Sequence, residues 1–219
     1  MRVLVACEYS GTVRDAFIAR GHDAMSCDIL PTEQPDWTHD PWTGIRVHHP
    51  ERGPHYQGDV RDVLGDGWDL MIAHPPCTHL AVSGAAHFAR KIASGEQQEA
   101  LDFVRLLLDA DIPRIALENP VSIISSKIRK PDQMVQPYDF GHDASKRTCL
   151  WLKGLPPLRP TQYVAPRTVV TPTGRIAQRW ANQCDNYGHD NKSPSPDRWK
   201  LRSATFQGIA DAMADQWGA

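Results

Sequence analysis

Residues 2–29, RVLVACEYSGTVRDAFIARGHDAMSCDI, decide the fold class. Arg2 to Cys7 is a short, β-branched, continuously apolar run, the pattern of a strand covered on both faces of a parallel sheet. Ser10-Gly11 ends it, and Thr12 to Arg20 follows with helical spacing, Val13, Phe17 and Ile18 pointing inward. Gly21-His22 stops that helix, and Asp23 to Ile29 reads as a second strand. Strand, helix and strand in under thirty residues form a βαβ unit. Such a unit closes right-handed and opens a ligand crevice beyond the strands' carboxyl ends.

Outward from this unit, the same alternation continues. Trp68 to Ala73 predicts a strand stopped by His74-Pro75-Pro76, and Glu96 to Ala110 predicts a helix with Ala100, Leu101, Val104, Leu107 and Leu108 inward. Ile115 to Leu117 predicts a short strand ending in Glu118-Asn119-Pro120, and Thr148 to Leu152 another. Thr205 to Trp217 predicts a final amphipathic helix, with Phe206, Ile209, Ala210, Met213 and Trp217 on one face. Residues 31–57, rich in Pro, His and Trp, show no period and read as an ordered surface loop. Residues 156 to about 200 are equally aperiodic. The expected organisation is one catalytic domain from residues 1–155 and 203–219, with 156–202 as a small recognition appendage or loop.

Composition is that of a globular chain, 41% hydrophobic and 23% charged over 219 residues, with no apolar run near the ~18 residues of a membrane span. The first residues are too polar for a signal peptide, and five cysteines without CxxC spacing suit free thiols in a reducing cytoplasm. The net charge of −2 hides an asymmetry. Residues 1–120 carry 10 Lys and Arg against 18 Asp and Glu, while residues 121–219 carry 14 against 8. A basic second half suits a polyphosphate partner, although a dipolar solvated surface would look the same.

The strand ends carry the chemistry. Glu8, Tyr9, Ser10 and Gly11 follow the first strand, Asp28 ends the second, and then come Asp59, the tetrapeptide His74-Pro75-Pro76-Cys77, and Glu118-Asn119-Pro120. An isolated cysteine is usually a small buried hydrophobe. Cys77, behind two prolines at a strand end, is aimed into the crevice as a nucleophile. Glu118 precedes Asn119-Pro120, a rigid extended turn that aims its carboxylate. His74 and His79 flank Cys77, yet the second cysteine of a zinc deaminase is missing, so no metal is expected. His79 reads as lining a substrate pocket, and Cys184 with His189 stand too isolated to form a site. HPPC also lacks the leading Asp/Asn and trailing aromatic of the amino-methylating DNA enzymes. Tyr163, Trp180, Tyr187 and Trp199, beside Arg167, Arg175, Arg179 and Arg198, are candidate base-stacking contacts, whereas Trp151 reads as core.

In this order the motifs resemble the cytosine-C5 DNA methyltransferases, in a compact form with a reduced target-recognition region. The matching residues are Ser10-Gly11, Asp28, Gly58-Asp59-Val60, Pro75-Pro76-Cys77, Glu118-Asn119-Pro120 and Ser145-Lys146-Arg147-Thr148, closed by the helix after Thr205-Phe206-Gln207-Gly208. The resemblance implies a Rossmann-like class I S-adenosyl-L-methionine (SAM)-dependent fold, a mostly parallel sheet flanked by helices. It implies Cys77, Glu118 and Arg147 as catalytic residues, with Cys77 adding to C6 of cytosine before C5 is methylated. It implies Glu8, Ser10, Gly11, Asp28, Asp59 and Pro75 around SAM, and His79, Asn119 and Lys146 around the substrate. Departures from the family pattern are the glycine-poor EYSG loop, Asp at position 28, Pro at 120, a single arginine in Lys146-Arg147-Thr148, and the brevity of residues 156–202. The implied partner is DNA, with RNA, a free cytosine nucleotide, a targeting protein partner, or an inactive binding role left open.

Overall fold

The computed structural model describes residues 1–171, 173–184 and 204–219. Its centre is a seven-stranded sheet. The strands are β1 (Arg2–Ala6), β2 (Asp23–Asp28), β5 (His55–Gln57), β6 (Leu70–Ala73), β7 (Arg114–Pro120), β8 (Gln133–Val135) and β9 (Thr148–Lys153), in the order β5-β2-β1-β6-β7-β9-β8. The first five run parallel, and only β9 is reversed, antiparallel to both β7 and β8. This is the mostly parallel, Rossmann-like α/β class expected from residues 2–29.

The continuous apolar character of β1 has a direct cause. Val3 and Val5 face helices α1 (Thr12–Ile18) and α5 (Gln207–Trp217), in a core with Phe17, Ile72, Met213 and Trp217. Leu4 and Ala6 face α3 (Glu96–Leu108), in a second core with Met71, Leu101, Val104, Leu107 and Trp151. Because successive side chains point to opposite faces, a strand covered on both sides must be apolar at every position. Each fully buried Val, Leu or Phe contributes ~1.5–3 kcal/mol relative to exposure.

The structure adds three features to the sequence reading. Residues 31–57 are not a structureless loop: β3 (Trp37–His39) and β4 (Arg46–His48) pair as an antiparallel hairpin, and β5 joins the main sheet. The edge strand β8 had no periodic signal, since three residues are too few to show one. Part of 156–184 forms a second hairpin, β10 (Arg167–Val170) with β11 (Ile176–Arg179). Two short helices, α2 (Phe88–Ala93) and α4 (Ile124–Lys127), complete the set. No helix among the described residues is long and apolar enough to cross a membrane.

The sheet order reverses between β1, whose helix leads to β2, and β6, which leads to β7 on the other side. That switch point is where an open α/β sheet forms its crevice.

Candidate active site

The register of β6 and β7 pairs Ala73 with Leu117, so the next residues, His74 just past β6 and Glu118 still within β7, stand side by side. His74 Nδ1 lies 2.9 Å from Glu118 Oε2, with both side chains nearly buried. Burial works to raise the Glu118 pKa, but the His74 hydrogen bond and charge, Lys146 and the Thr148 hydroxyl outweigh it and hold the carboxyl below its usual range. An ionised carboxylate only accepts, so Nδ1 carries the proton and donates. His74 as the partner of Glu118 was not anticipated, because the sequence gives no register between two strands forty residues apart.

Alternation along β7 assigns its neighbours different tasks. Leu117 faces the α3 core, Glu118 the opposite side, and Asn119 the α3 side again. Glu118 therefore opens on a small cleft lined by Lys146, Thr148, Phe206, Ile209 and Met213. Asn119 is 1% exposed, and its Nδ2 donates to the buried Pro75 carbonyl at 2.9 Å. The predicted substrate contact Asn119 is thus engaged in fixing the HPPC loop. That loop is also laced to the segment after β7: Val82 N donates to Val121 O, Ile123 N to Leu80 O, and Ala81 bridges Ser122. Cys77 is exposed and free, outside the packed hydrocarbon.

These two loops hold an excess of unpaired polarity. His74 Nε2, His79 Nδ1, Asn119 Oδ1 and Ser122 Oγ are buried with no hydrogen-bond partner among the described residues. Buried polar groups are nearly always paired, and leaving one orphaned costs ~1–3 kcal/mol. Four together, at two adjacent strand ends, mark a place shaped for a ligand's own donors and acceptors. His79 additionally sits 3.9 Å from Glu96.

On the other side of the switch point, the predicted cofactor residues divide. Glu8 is buried, and its two carboxylate oxygens accept from Val13 N (2.7 Å) and Arg14 N (3.2 Å), while Ser10 Oγ donates to it at 3.2 Å. Both side chains thus cap α1, where a carboxylate is favoured by the helix dipole. Gly11 takes φ +75°, and a Cβ there would stand 2.6 Å from Arg14 Nη2, so glycine is required. Cys7, ending β1, is the one non-glycine residue with positive φ (59°) among those described. Burial and then Asp28 push its thiol far up, with Cys27 and Asp59 adding to the effect. Asp28 is half-buried, its pKa raised by burial against the hydrogen bond from Leu30 N. Asp59 pairs with Arg61 at 2.8 Å and caps the turn after β5. Ile29, beside Asp28, is 75% exposed, an apolar surface the sequence reading did not single out. The acidic groups Asp28 and Asp59, with the bare aliphatic Ile29 beside Asp28, are residues that could hold the hydroxyls and flat ring of a nucleoside cofactor.

Because β9 is reversed, its first residues enter the site. Lys146 Nζ donates to Ala204 O at 3.1 Å and lies close enough to influence Glu118. Arg147 is exposed and makes no hydrogen bond among the described residues. The adjoining hairpin is tied to this segment: Asn182 exchanges two hydrogen bonds with Ser145, and Ala181 N donates to Asp143. Of the candidate stacking residues, Trp180 is already stacked on Tyr138 (4.3 Å) with its Nε1 bonded to Val164 O. One face of its ring is therefore already covered. Tyr163 is exposed, and Trp151 is core as expected. Tyr187, His189, Arg198 and Trp199 lie outside the described residues, and Cys184 is buried.

No protein-family model matches the chain, and no curated protein matches it. Among solved structures it is similar to an Escherichia coli chain, encoded within a prophage and provisionally described as a DNA modification methyltransferase. The identity is 17%, the TM-score 0.48, and the match covers 75% of this chain but 52% of that one. This chain thus spans about half the length of that structure, and a likeness so distant fixes neither activity nor substrate.

Proposed function

We propose that the protein is a compact SAM-dependent methyltransferase that modifies C5 of cytosine in DNA through a covalent bond from Cys77. The observation that carries this reading is the lacing of the HPPC loop to the end of β7. It ties the loop that carries an exposed thiol to the strand that carries an ionised carboxylate, among four polar atoms without a hydrogen-bond partner. SAM, when bound, supplies an electrophilic methyl group.

The chain's own residues do the rest. The Cys77 thiolate bonds to C6, which makes C5 nucleophilic, and dividing one hard step into two is what covalent catalysis offers. Glu118, hydrogen-bonded to His74, contacts N3 and the exocyclic amino group of the cytosine, and the proton that N3 takes up as charge develops on addition reaches it through this carboxyl. After C5 gains the methyl group, it loses its proton to a base, and the C6–sulfur bond breaks to release the thiolate. Arg147, without a hydrogen bond among the described residues, meets the pyrimidine O2 or a phosphate, and Lys146 screens Glu118. Extruding a base from a duplex costs a few kcal/mol, and the short β10–β11 hairpin offers few groups to read a long site.

Labelled SAM with duplex DNA, single-stranded DNA, RNA and dCTP in parallel tests the reading. Label is expected on DNA cytosine, and 5-fluorocytosine DNA is expected to trap Cys77, because fluorine cannot leave as the proton does. Label on RNA or dCTP alone would move the substrate class. Binding without label or adduct would make the chain a non-catalytic binder.

A further inference from the structure

Lys91, on α2, is 6% exposed, and its ammonium donates to the carbonyl of Thr78, the residue after Cys77. No carboxylate among the described residues lies within ion-pair distance of it. Glu96 is near enough to feel its charge without forming an ion pair, and a buried ammonium lacking a direct counter-ion is costly, so such groups persist where they serve a neighbour.

The surroundings show which neighbour. Every carbonyl from Cys77 to Ala81 has a donor: Leu80 N and Ala81 N on Cys77 O, Lys91 on Thr78 O, Ile123 N on Leu80 O, and Gly84 N on Ala81 O. The His79 carbonyl receives Gln97 Nε2 from α3 at 3.4 Å, and Gln97 is itself 6% exposed. The turn bearing the nucleophile is thus held on its helical side by two buried side chains, one of them cationic. From this arrangement we infer that Lys91 is a positioning residue for Cys77. Its charge-assisted bond to Thr78 O fixes the turn that presents the sulfur, and its positive charge faces the same turn when that sulfur is anionic. Gln97 is the neutral second grip.

The inference rests on Cys77 being the nucleophile, but its test does not need methyl transfer. Iodoacetamide alkylation of Cys77, followed by peptide mass, reads the thiol directly, since Cys27, Cys149 and Cys184 are buried. Lys91→Met is expected to slow alkylation about tenfold, the scale of one charged hydrogen bond, and Lys91→Arg to restore most of it. Where methylation is measurable, kcat should fall in Lys91→Met while KM for SAM and DNA holds. If Lys91→Met does not fold, Lys91→Gln, which keeps a neutral donor, is compared with Lys91→Arg. Native alkylation rates in a folded Lys91→Met, or equal rates in the Gln and Arg variants, overturn the inference. Absence of label transfer by the native protein, with the alkylation pattern as expected, would instead overturn the proposed reaction and leave the role of Lys91 standing.

Discussion

Replacing Asn119 by alanine severs the 2.9 Å bond from its Nδ2 to the Pro75 carbonyl, at a residue 1% exposed. Leaving the buried Pro75 carbonyl without a donor costs ~1–3 kcal/mol, and removal of the unpaired Asn119 Oδ1 offsets part of it, so a loss of about 1–2 kcal/mol is expected. For a chain of this size each kcal/mol moves the melting midpoint by ~2–4 °C, which gives roughly 2–8 °C. The functional effect should exceed what stability alone explains, because the severed tie orients the loop that carries Cys77. A misplacement of ~1 Å can cost ~100-fold in rate. Thermal melting by circular dichroism, with the rate of adduct formation on 5-fluorocytosine DNA well below the melting range, measures both. Asn119→Asp should fall as far in adduct rate, since it keeps the size and presents an acceptor to an acceptor. Melting within ~1 °C of the native protein, together with a native adduct rate, would refute the assignment of Asn119 as the tie.

Cys77→Ser should abolish both methyl transfer and adduct while melting within ~0.5 kcal/mol of native, as expected for an exposed side chain; surviving turnover would exclude the thiolate route. The Glu118 carboxyl is depressed in the folded chain, so it stabilises the fold above its unfolded pKa of ~4.3 and loses that contribution as pH falls through the lower folded value. Urea titrations between pH 6 and pH 3 should therefore show a shallower acid decline for Glu118→Gln than for the native protein. At Gly208, which opens α5, a Cβ would stand 1.9 Å from Phe140 O, so Gly208→Ala should cost ~1–3 kcal/mol or more in denaturant melts.

The parts of the fold legible in the sequence were those whose burial is one-dimensional. β1 and β6 show as continuous apolar runs because both faces are covered, and α5 shows its stripe because one face packs on the sheet. The hairpin of Trp37–His39 and Arg46–His48 stayed hidden because five of its six residues alternate without a buried face, all but Thr38 being exposed. Cys77 and Glu118 could be nominated from the prolines around them, but their supports could not. His74 meets Glu118, Asn119 meets Pro75 and Lys91 meets Thr78 through strand register and helix docking, and neither leaves a trace in local spacing. Glu8 shows the converse: its position beyond β1 suggested a ligand contact, while the uncapped N–H groups of α1 claim both its oxygens.

The roots of the β10–β11 hairpin stand together. Val164 N bonds to Tyr138 O, Trp180 lies flat on the Tyr138 ring, and Trp180 Nε1 reaches back to Val164 O. What lies beyond this clasp can be lengthened at little thermodynamic expense, since each doubling of a loop adds only ~0.6 kcal/mol of closure entropy. The hairpin is therefore a ready grafting point, where a longer segment could be installed without rebuilding the sheet beneath it.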